Sequence, residues 1–344
     1  MSEDTGRLRI GYIPLVDAAH LLAPVAIASS LGLGHVRVPI AVPFNLNLNG
    51  NAITVTHELF EALRTEADGG LADPMVSARA LARLAARRKR AGEEPLAFGM
   101  TFPFSNHNYQ LRFWMAAGGV DPDEDVRLVV LPPPYMVDSL AKGHVQGFCV
   151  GAPWNAVAVE QGFGRILHFG TDIVARASEK VFAVRDRWAA ENAGTLQGLV
   201  RALGRASALI DDPAGRDEAA ALLAAPARVN VPAEMIRRTL DGRLRIAPGV
   251  ERTDPRYLLA GDAAATRPDP VQAAWIYAQM VRWGQTALSP EGLATAKAVF
   301  RPDLYDAALG TTGGAADGVG AFAGPEFDPD DPAAHLLAWR AANP

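Results

Sequence analysis

At 344 residues, with 49% hydrophobic and 21% charged positions, the chain is long enough for two ordinary domains around a substantial core, which excludes the disordered and small stapled classes. A formal charge of −5 denies it the overall basic field that non-specific nucleic-acid or anionic-membrane binding requires. Its one cysteine, Cys149, excludes an intrachain disulfide, a thiolate-rich zinc site and an iron–sulfur cluster held by this chain alone.

The opening stretch MSEDTGRLRIGYIP carries two acidic residues and neither a signal-length apolar run nor a lipobox cysteine, so the expected location is the cytoplasm. No run of 18 or more apolar residues occurs, and no membrane span is expected. Short β-branched runs follow in order at 8–14, 36–43, 51–56, 96–102, 126–132, 144–151 and 180–185. Ala/Leu/Arg-rich helical patterns separate most of them, at 74–91, 108–117 and 135–142 among others. This alternation predicts an α/β protein with parallel sheets. From 186 onward the chain reads mainly as helix, over 194–211, 214–225, 232–240, 270–285 and 289–300, and the Gly-rich stretch 310–330 reads as a long loop ordered by docking.

Three strand-to-helix junctions stand out, after 96–102, 126–132 and 144–151, because helix N-termini at the carboxyl ends of strands offer N–H donors to a small anion. His107 lies at the first of these, beside an N-cap at Ser105 or Asn106. On position alone it is either a capping histidine or an anion contact. The run Phe44-Asn45-Leu46-Asn47-Leu48-Asn49 alternates with strand period, which fits a cleft wall or a solvated face equally. Lys180 is one of four lysines among 33 basic residues and stands just before a strand.

Other clusters have plainer readings. The basic run Arg87–Arg90 complements a helix C-terminus, and Asp328, Asp330 and Asp331 lack the glycine and distal glutamate of an EF-hand loop and read as an acidic turn. Cys149, inside an apolar strand, reads as a small buried hydrophobe. No GxSxG, P-loop, HExxH or GxGxxG motif occurs, and no cofactor or metal is expected.

Several stretches together resemble one family. LRIGYIPLVDAA, AHLLAPVAIASSLGLG, LNLNGNAITV, FGMTFPFSNHNYQLRFWMAAGG, VRLVVLPPPYMVDSL, GFCVGAPWNAVAV, SEKVFAV, WIYAQMVRWGQ and FRPDLYDAAL are similar, in order, to the nitrate/nitrite- and bicarbonate-binding branch of periplasmic-binding-protein-like solute receptors, the NrtA/CmpA/NasS group. The resemblance implies a two-lobe α/β fold of the type II periplasmic-binding-protein kind, with lobe 1 formed by 1–97 plus 184–344, lobe 2 by 98–183, and an anion in the cleft. Carried over by motif, the anion contacts fall on His107, on Lys180, on the turn Pro132, Pro133 and Pro134, and on Asn45. Nitrate and nitrite only accept hydrogen bonds, so cationic and N–H donors suit them. Bicarbonate also donates a proton, and its receptors carry an acidic residue in the lysine's place, so Lys180 favours nitrate or nitrite.

Here PLVDAA runs directly into HLLAP, where relatives insert a helix, a strand with a Ser-Trp pair and another helix, so the first lobe is expected to be shortened. The resemblance offers two roles. One is a cytoplasmic sensor that holds an ANTAR-type antiterminator protein until the anion arrives; the other is a receptor that delivers its anion to an ABC permease. The acidic, leaderless start favours the sensor. An enzyme on the same fold, such as a thiamine-pyrimidine synthase, is disfavoured because its cysteine cluster has no counterpart.

Overall fold

The computed structural model describes residues 10–11, 18–34, 36–261, 263–312 and 318–342. The described residues begin with β1 (Ile10–Gly11), β2 (Ala18–Leu22), α1 (Ala23–Leu31) and β3 (Ile40–Asn49). After a break at Gly50 come β4 (Asn51–Val55), α2 (His57–Glu66), α3 (Pro74–Ala91), β5 (Leu96–Met100), α4 (Asn106–Ala117), β6 (Val126–Val130) and α5 (Pro133–Ala141). Next are β7 (Gly147–Gly151), α6 (Trp154–Glu160), β8 (Arg165–Phe169), the short α7 (Gly170–Ile173) and β9 (Ser178–Arg185). The remainder holds α8 (Asp186–Glu191), α9 (Ala193–Asp211), α10 (Pro213–Leu223), α11 (Ala233–Leu240), the hairpin β10 (Arg243–Ala247) and β11 (Val250–Thr253), and β12 (Leu258–Leu259). It ends with α12 (Ala263–Thr266), α13 (Pro270–Arg282), α14 (Pro290–Val299), α15 (Pro302–Leu309) and α16 (Pro332–Ala342).

Among the described residues two five-stranded sheets result, ordered β1-β2-β9-β3-β12 and β6-β5-β7-β4-β8. Neither is parallel throughout, contrary to the reading from sequence alternation. β5 runs parallel to β6 and β7, but β4 is antiparallel to β7 and β8, and β9 is antiparallel to β2 and β3. The cause is that the chain crosses between sheets twice, at Asn49–Asn51 and between β8 and β9, and each crossing delivers a strand in the opposite sense.

Those crossings also correct the lobe boundaries. The second sheet begins with β4 at Asn51 and brings α2 and α3 with it, rather than beginning at 98, while β9 joins the first sheet from Ser178. Gly50 (φ 91°) and Asn49 (φ 61°) supply the left-handed backbone that reverses the chain here. The Asn49 side chain then ties the crossings together. Its Nδ2 donates to Ala175 O and Arg256 O, both at 2.9 Å, and its Oδ1 accepts from Ala177 N at 2.8 Å.

Local signals explain the helices that matter most. Asp73 caps α3 by accepting from Met75 N at 2.8 Å, Pro74 fits the first turn, and Gly92 closes the helix in left-handed conformation. Three basic residues near its end pair with carboxylates, Arg87 with Glu66, Arg88 with Glu93 and Lys89 with Asp125. The Asp-rich turn near 330 is likewise local: Asp331 accepts from Ala334 N in the first turn of α16, and Asp330 pairs with Lys297. The described part of the 310–330 stretch is docked. Ala321 bridges to Val174, Phe322 N donates to Ile173 O at 3.0 Å, and the Phe322 ring meets Phe113 edge-on.

Candidate functional site

Two bulges in β3 decide which amides reach the cleft. Asn45 is paired with Val181 and Asn47 with Lys180, with Leu46 bulged between them, so Asn47 faces the same side as Lys180 while Asn45 faces the opposite side. Asn45 is 1% exposed and fully engaged: its Nδ2 donates to Ala265 O and Arg267 O, and its Oδ1 accepts from Ser178 Oγ. It fastens β3 to the chain before α13. Assigning it to the anion, from strand period and resemblance, is thereby corrected; the bulge that breaks the period is the physical reason.

Lys180, on β9, is about a quarter exposed and points its ammonium at the Oε1 of Glu179, with which it is paired. Glu179 is buried at the seam between the sheets. Its Oε2 accepts from Asn51 Nδ2 of β4 at 3.1 Å and from Asn106 Nδ2 of α4 at 3.3 Å. Burial pushes this carboxyl up, but the charge of Lys180, the neighbouring His107 and the hydrogen bonds outweigh it and hold the group at about 2. Glu179 is therefore a carboxylate at neutral pH.

His107 follows the cap residue of α4: Ser105 Oγ accepts from Asn108 N at 3.2 Å, which starts the helix and turns His107 inward. The ring is 2% exposed. Burial lowers its pKa to about 4 against the pull of Glu179, so the imidazole is neutral at physiological pH. Its Nε2 lies 3.4 Å from Glu179 Oε1, outside good hydrogen-bond geometry, and both ring nitrogens are buried without a hydrogen-bond partner.

These groups meet over Gly151, the last residue of β7. A methyl placed on Gly151 would stand 3.5 Å from Asn51 Oδ1, 3.7 Å from His107 Nε2 and 3.9 Å from Lys180 Nζ. One point in space thus sees an ammonium, an imidazole nitrogen and an amide oxygen, and only the lack of a side chain on residue 151 leaves it open. Gly151 and Lys180 line a cavity of about 410 Å³ between the sheets, whose far wall comes from α9, α10, α11 and β12. The point over Gly151 thus offers the Lys180 ammonium and a neutral imidazole as possible donors, in a site whose fixed charges, Lys180 and Glu179, sum to zero.

The structure therefore brings His107 and Lys180 together and leaves the other expected contacts elsewhere. Pro132, Pro133 and Pro134 form the entry of α5 beyond the edge strand β6; Pro132 and Pro134 are exposed, and none of the three lines this cavity. Four polar residues of the site escaped the sequence reading: Asn51, Asn106, Gln110 and Glu179. Asn51 Nδ2 also donates to Gln110 Oε1 at 3.1 Å. The signal for two of them was present, since Asn106, His107 and Gln110 fall at i, i+1 and i+4 on a helix otherwise facing the core. Cys149 is fully buried in β7, its thiol pKa raised well above the ordinary value by burial, and it contacts Gln110 Oε1.

Residues 7–224 match the NMT1-like family. NrtC of Synechocystis sp., a nitrate import ATP-binding protein, is 31% identical over 331 residues, covering 93% of this chain and 47% of NrtC, so the chain spans about half the length of that relative. The nitrate/nitrite binding protein NrtA of Synechococcus elongatus is 30% identical over 334 residues, covering 93% of this chain and 73% of NrtA. The crystal structure of the periplasmic nitrate-binding protein NrtA from Synechocystis PCC 6803 superposes with a TM-score of 0.82 at 25% identity, covering 94% of this chain and 84% of that one. The two-sheet architecture, the paired crossings and these similarities make the chain a member of the NMT1-like family with a periplasmic-binding-protein fold, homologous to the NrtA nitrate-binding proteins.

Proposed function

We propose that this chain is a nitrate or nitrite receptor that binds its ion without chemistry. The observation that carries this reading is the convergence of Lys180 Nζ and His107 Nε2 on the space over Gly151. Nitrate and nitrite are weakly basic acceptors, and a neutral imidazole beside an ammonium gives them donors without demanding a second negative charge. Sulfate, with its second charge, needs more donors than this site holds. Isothermal titration of nitrate and nitrite into the wild type and Lys180→Gln tests it. Loss of a charge-assisted contact worth about 1.5–3 kcal/mol should weaken binding at least tenfold; equal affinity in both proteins would remove Lys180 from the site.

Bicarbonate is a second reading, and a specific observation favours it. The resemblance implies no acceptor for the bicarbonate proton, yet Asn51 Oδ1 is buried without a partner and faces the same point, with the Glu179 carboxylate close behind. Glu179 has both oxygens engaged, which is why nitrate or nitrite comes first. Competition by bicarbonate at concentrations similar to nitrate would reverse that order.

The role proposed for the occupied receptor is that of a cytoplasmic sensor. Ligand closes the sheets, and an ANTAR-type antiterminator protein reads the empty form, since a ligand shifts an equilibrium only by its differential affinity for two states. By linkage the antiterminator must weaken anion binding by the factor with which the anion weakens the complex. Size exclusion of the two purified proteins with and without nitrate tests this. A complex indifferent to nitrate would refute it, and delivery of the anion to an ABC permease would replace it.

A further inference from the structure

The cavity is much larger than the ion proposed for it. Its volume of about 410 Å³ falls within the roughly 300–1,000 Å³ of sites that enclose organic ligands, and would hold about a dozen waters at ~30 Å³ each. Its character is also divided. Asn47, Asn49, Asn51, Glu179 and Lys180 occupy one end, and apart from Thr239 the far wall is aliphatic, chiefly Ile210, Val229, Ile236, Leu240 and Leu258. Water in such a space finds few polar partners, and a bare inorganic ion leaves the aliphatic wall uncovered.

We propose that the site also takes organic monoanions, a small oxyanion head seated at Lys180 and a short aliphatic tail laid along the wall formed by α9, α11 and β12. Two independent observations point to such a ligand. The ammonium of Lys180, paired on one side with Glu179, stands at one end of the cavity only, and the buried, unpartnered Nε2 of His107 lies 3.7 Å from the same seat over Gly151. The tail then covers apolar surface in proportion to its length. This rests on the anion reading of the Lys180 end and extends it to a substrate class.

The test is calorimetric titration with nitrate and with the straight-chain carboxylates acetate, butyrate, hexanoate and octanoate at pH 7.5. Each buried methylene should tighten binding about fourfold, so that octanoate exceeds butyrate by two orders of magnitude or more. Lys180→Gln should weaken every member by a similar factor. Ile210→Asn and, separately, Leu223→Asn, both on the far wall at positions with solvent access, should flatten the chain-length dependence. Nitrate binding with no dependence on chain length would overturn the proposal and leave the nitrate reading intact. A chain-length dependence that Lys180→Gln does not shift would overturn it by placing the head elsewhere, and failure of nitrate and every carboxylate to bind would overturn both.

Discussion

Removing Lys180 should expose how the site is held together as well as what it binds. Glu179 cannot reach water: it is 1% exposed and fixed by Asn51 at 3.1 Å and Asn106 at 3.3 Å. Lys180, about a quarter exposed, can. Unit charges about 4 Å apart in surroundings of effective dielectric ~20 interact by about 4 kcal/mol, and orphaning a buried ion typically costs 3–5 kcal/mol. Partial solvent screening at the lysine end brings Lys180→Ala to about 3 kcal/mol of lost stability. Glu179→Gln should cost only about 1 kcal/mol, because the ammonium swings into solvent while the glutamine oxygen still accepts from the two asparagines. The double variant should lose only about 1 kcal/mol, as Glu179→Gln does, a coupling of about 3 kcal/mol. Urea denaturation at pH 7 in nitrate-free buffer measures all four corners of this cycle. A coupling below about 0.5 kcal/mol, the range of exposed pairs, or a Glu179→Gln variant less stable than Lys180→Ala, would refute the reasoning.

Three further outcomes are expected. Gly151→Ala places a methyl in ordinary van der Waals contact, no nearer than 3.5 Å to any side chain, so the thermal midpoint should hold while nitrate affinity falls at least tenfold; unchanged affinity would move the seat. His107 and His168 are both held neutral by burial with pKa values of about 4, below the 6.5 of the unfolded chain. The unfolded state therefore binds more protons between those values, and stability should be fully present above about pH 6.5 and fall by about 3 kcal/mol per histidine as pH drops to 4. A urea midpoint flat from pH 7.5 to 4.5, or a His168→Gln variant with the same slope as wild type, would contradict this. Gly50→Ala combines φ 91° with a methyl 2.8 Å from Leu258 Cδ1, and should lower stability by more than about 1 kcal/mol in thermal melts.

What could be read from sequence followed local chemistry. The strand at 96–100 and the helix at 74–91 have their own punctuation, and the spacing predicts them well. β2, AAHLL, is composed like a helix and becomes a strand because β1 and β9 flank it. The hairpin β10–β11 hid inside a charged stretch that reads as helix or loop, since most of its side chains face water. Within the site, His107 and Lys180 were legible as residues that chemistry would want at a helix mouth and a strand start. Glu179 was not, because an acid beside a lysine in sequence ordinarily means a solvated surface pair. The partition of the three asparagines depends on bulges that no periodicity announces: Asn45 clasps a loop, Asn47 faces the cleft and Asn49 binds the crossings.

Because one amide secures both passages of chain between the sheets, any rotation of one sheet against the other has its fulcrum close to Asn49. Displacement under such a rotation grows with distance from the axis, as on a lever. Glu179 and Lys180 follow two and three residues after Ala177, whose N–H Asn49 accepts, and Asn51 follows Gly50 directly, so the polar seat lies near the stationary end. The side-chain partners of Asn49 are Ala175, Ala177 and Arg256, none of them on α9 or α11, which carry the far wall. Small angular changes would then resize the apolar chamber while leaving the spacing of the donors almost constant, so that the head of a ligand meets a fixed gauge and its tail an adjustable one.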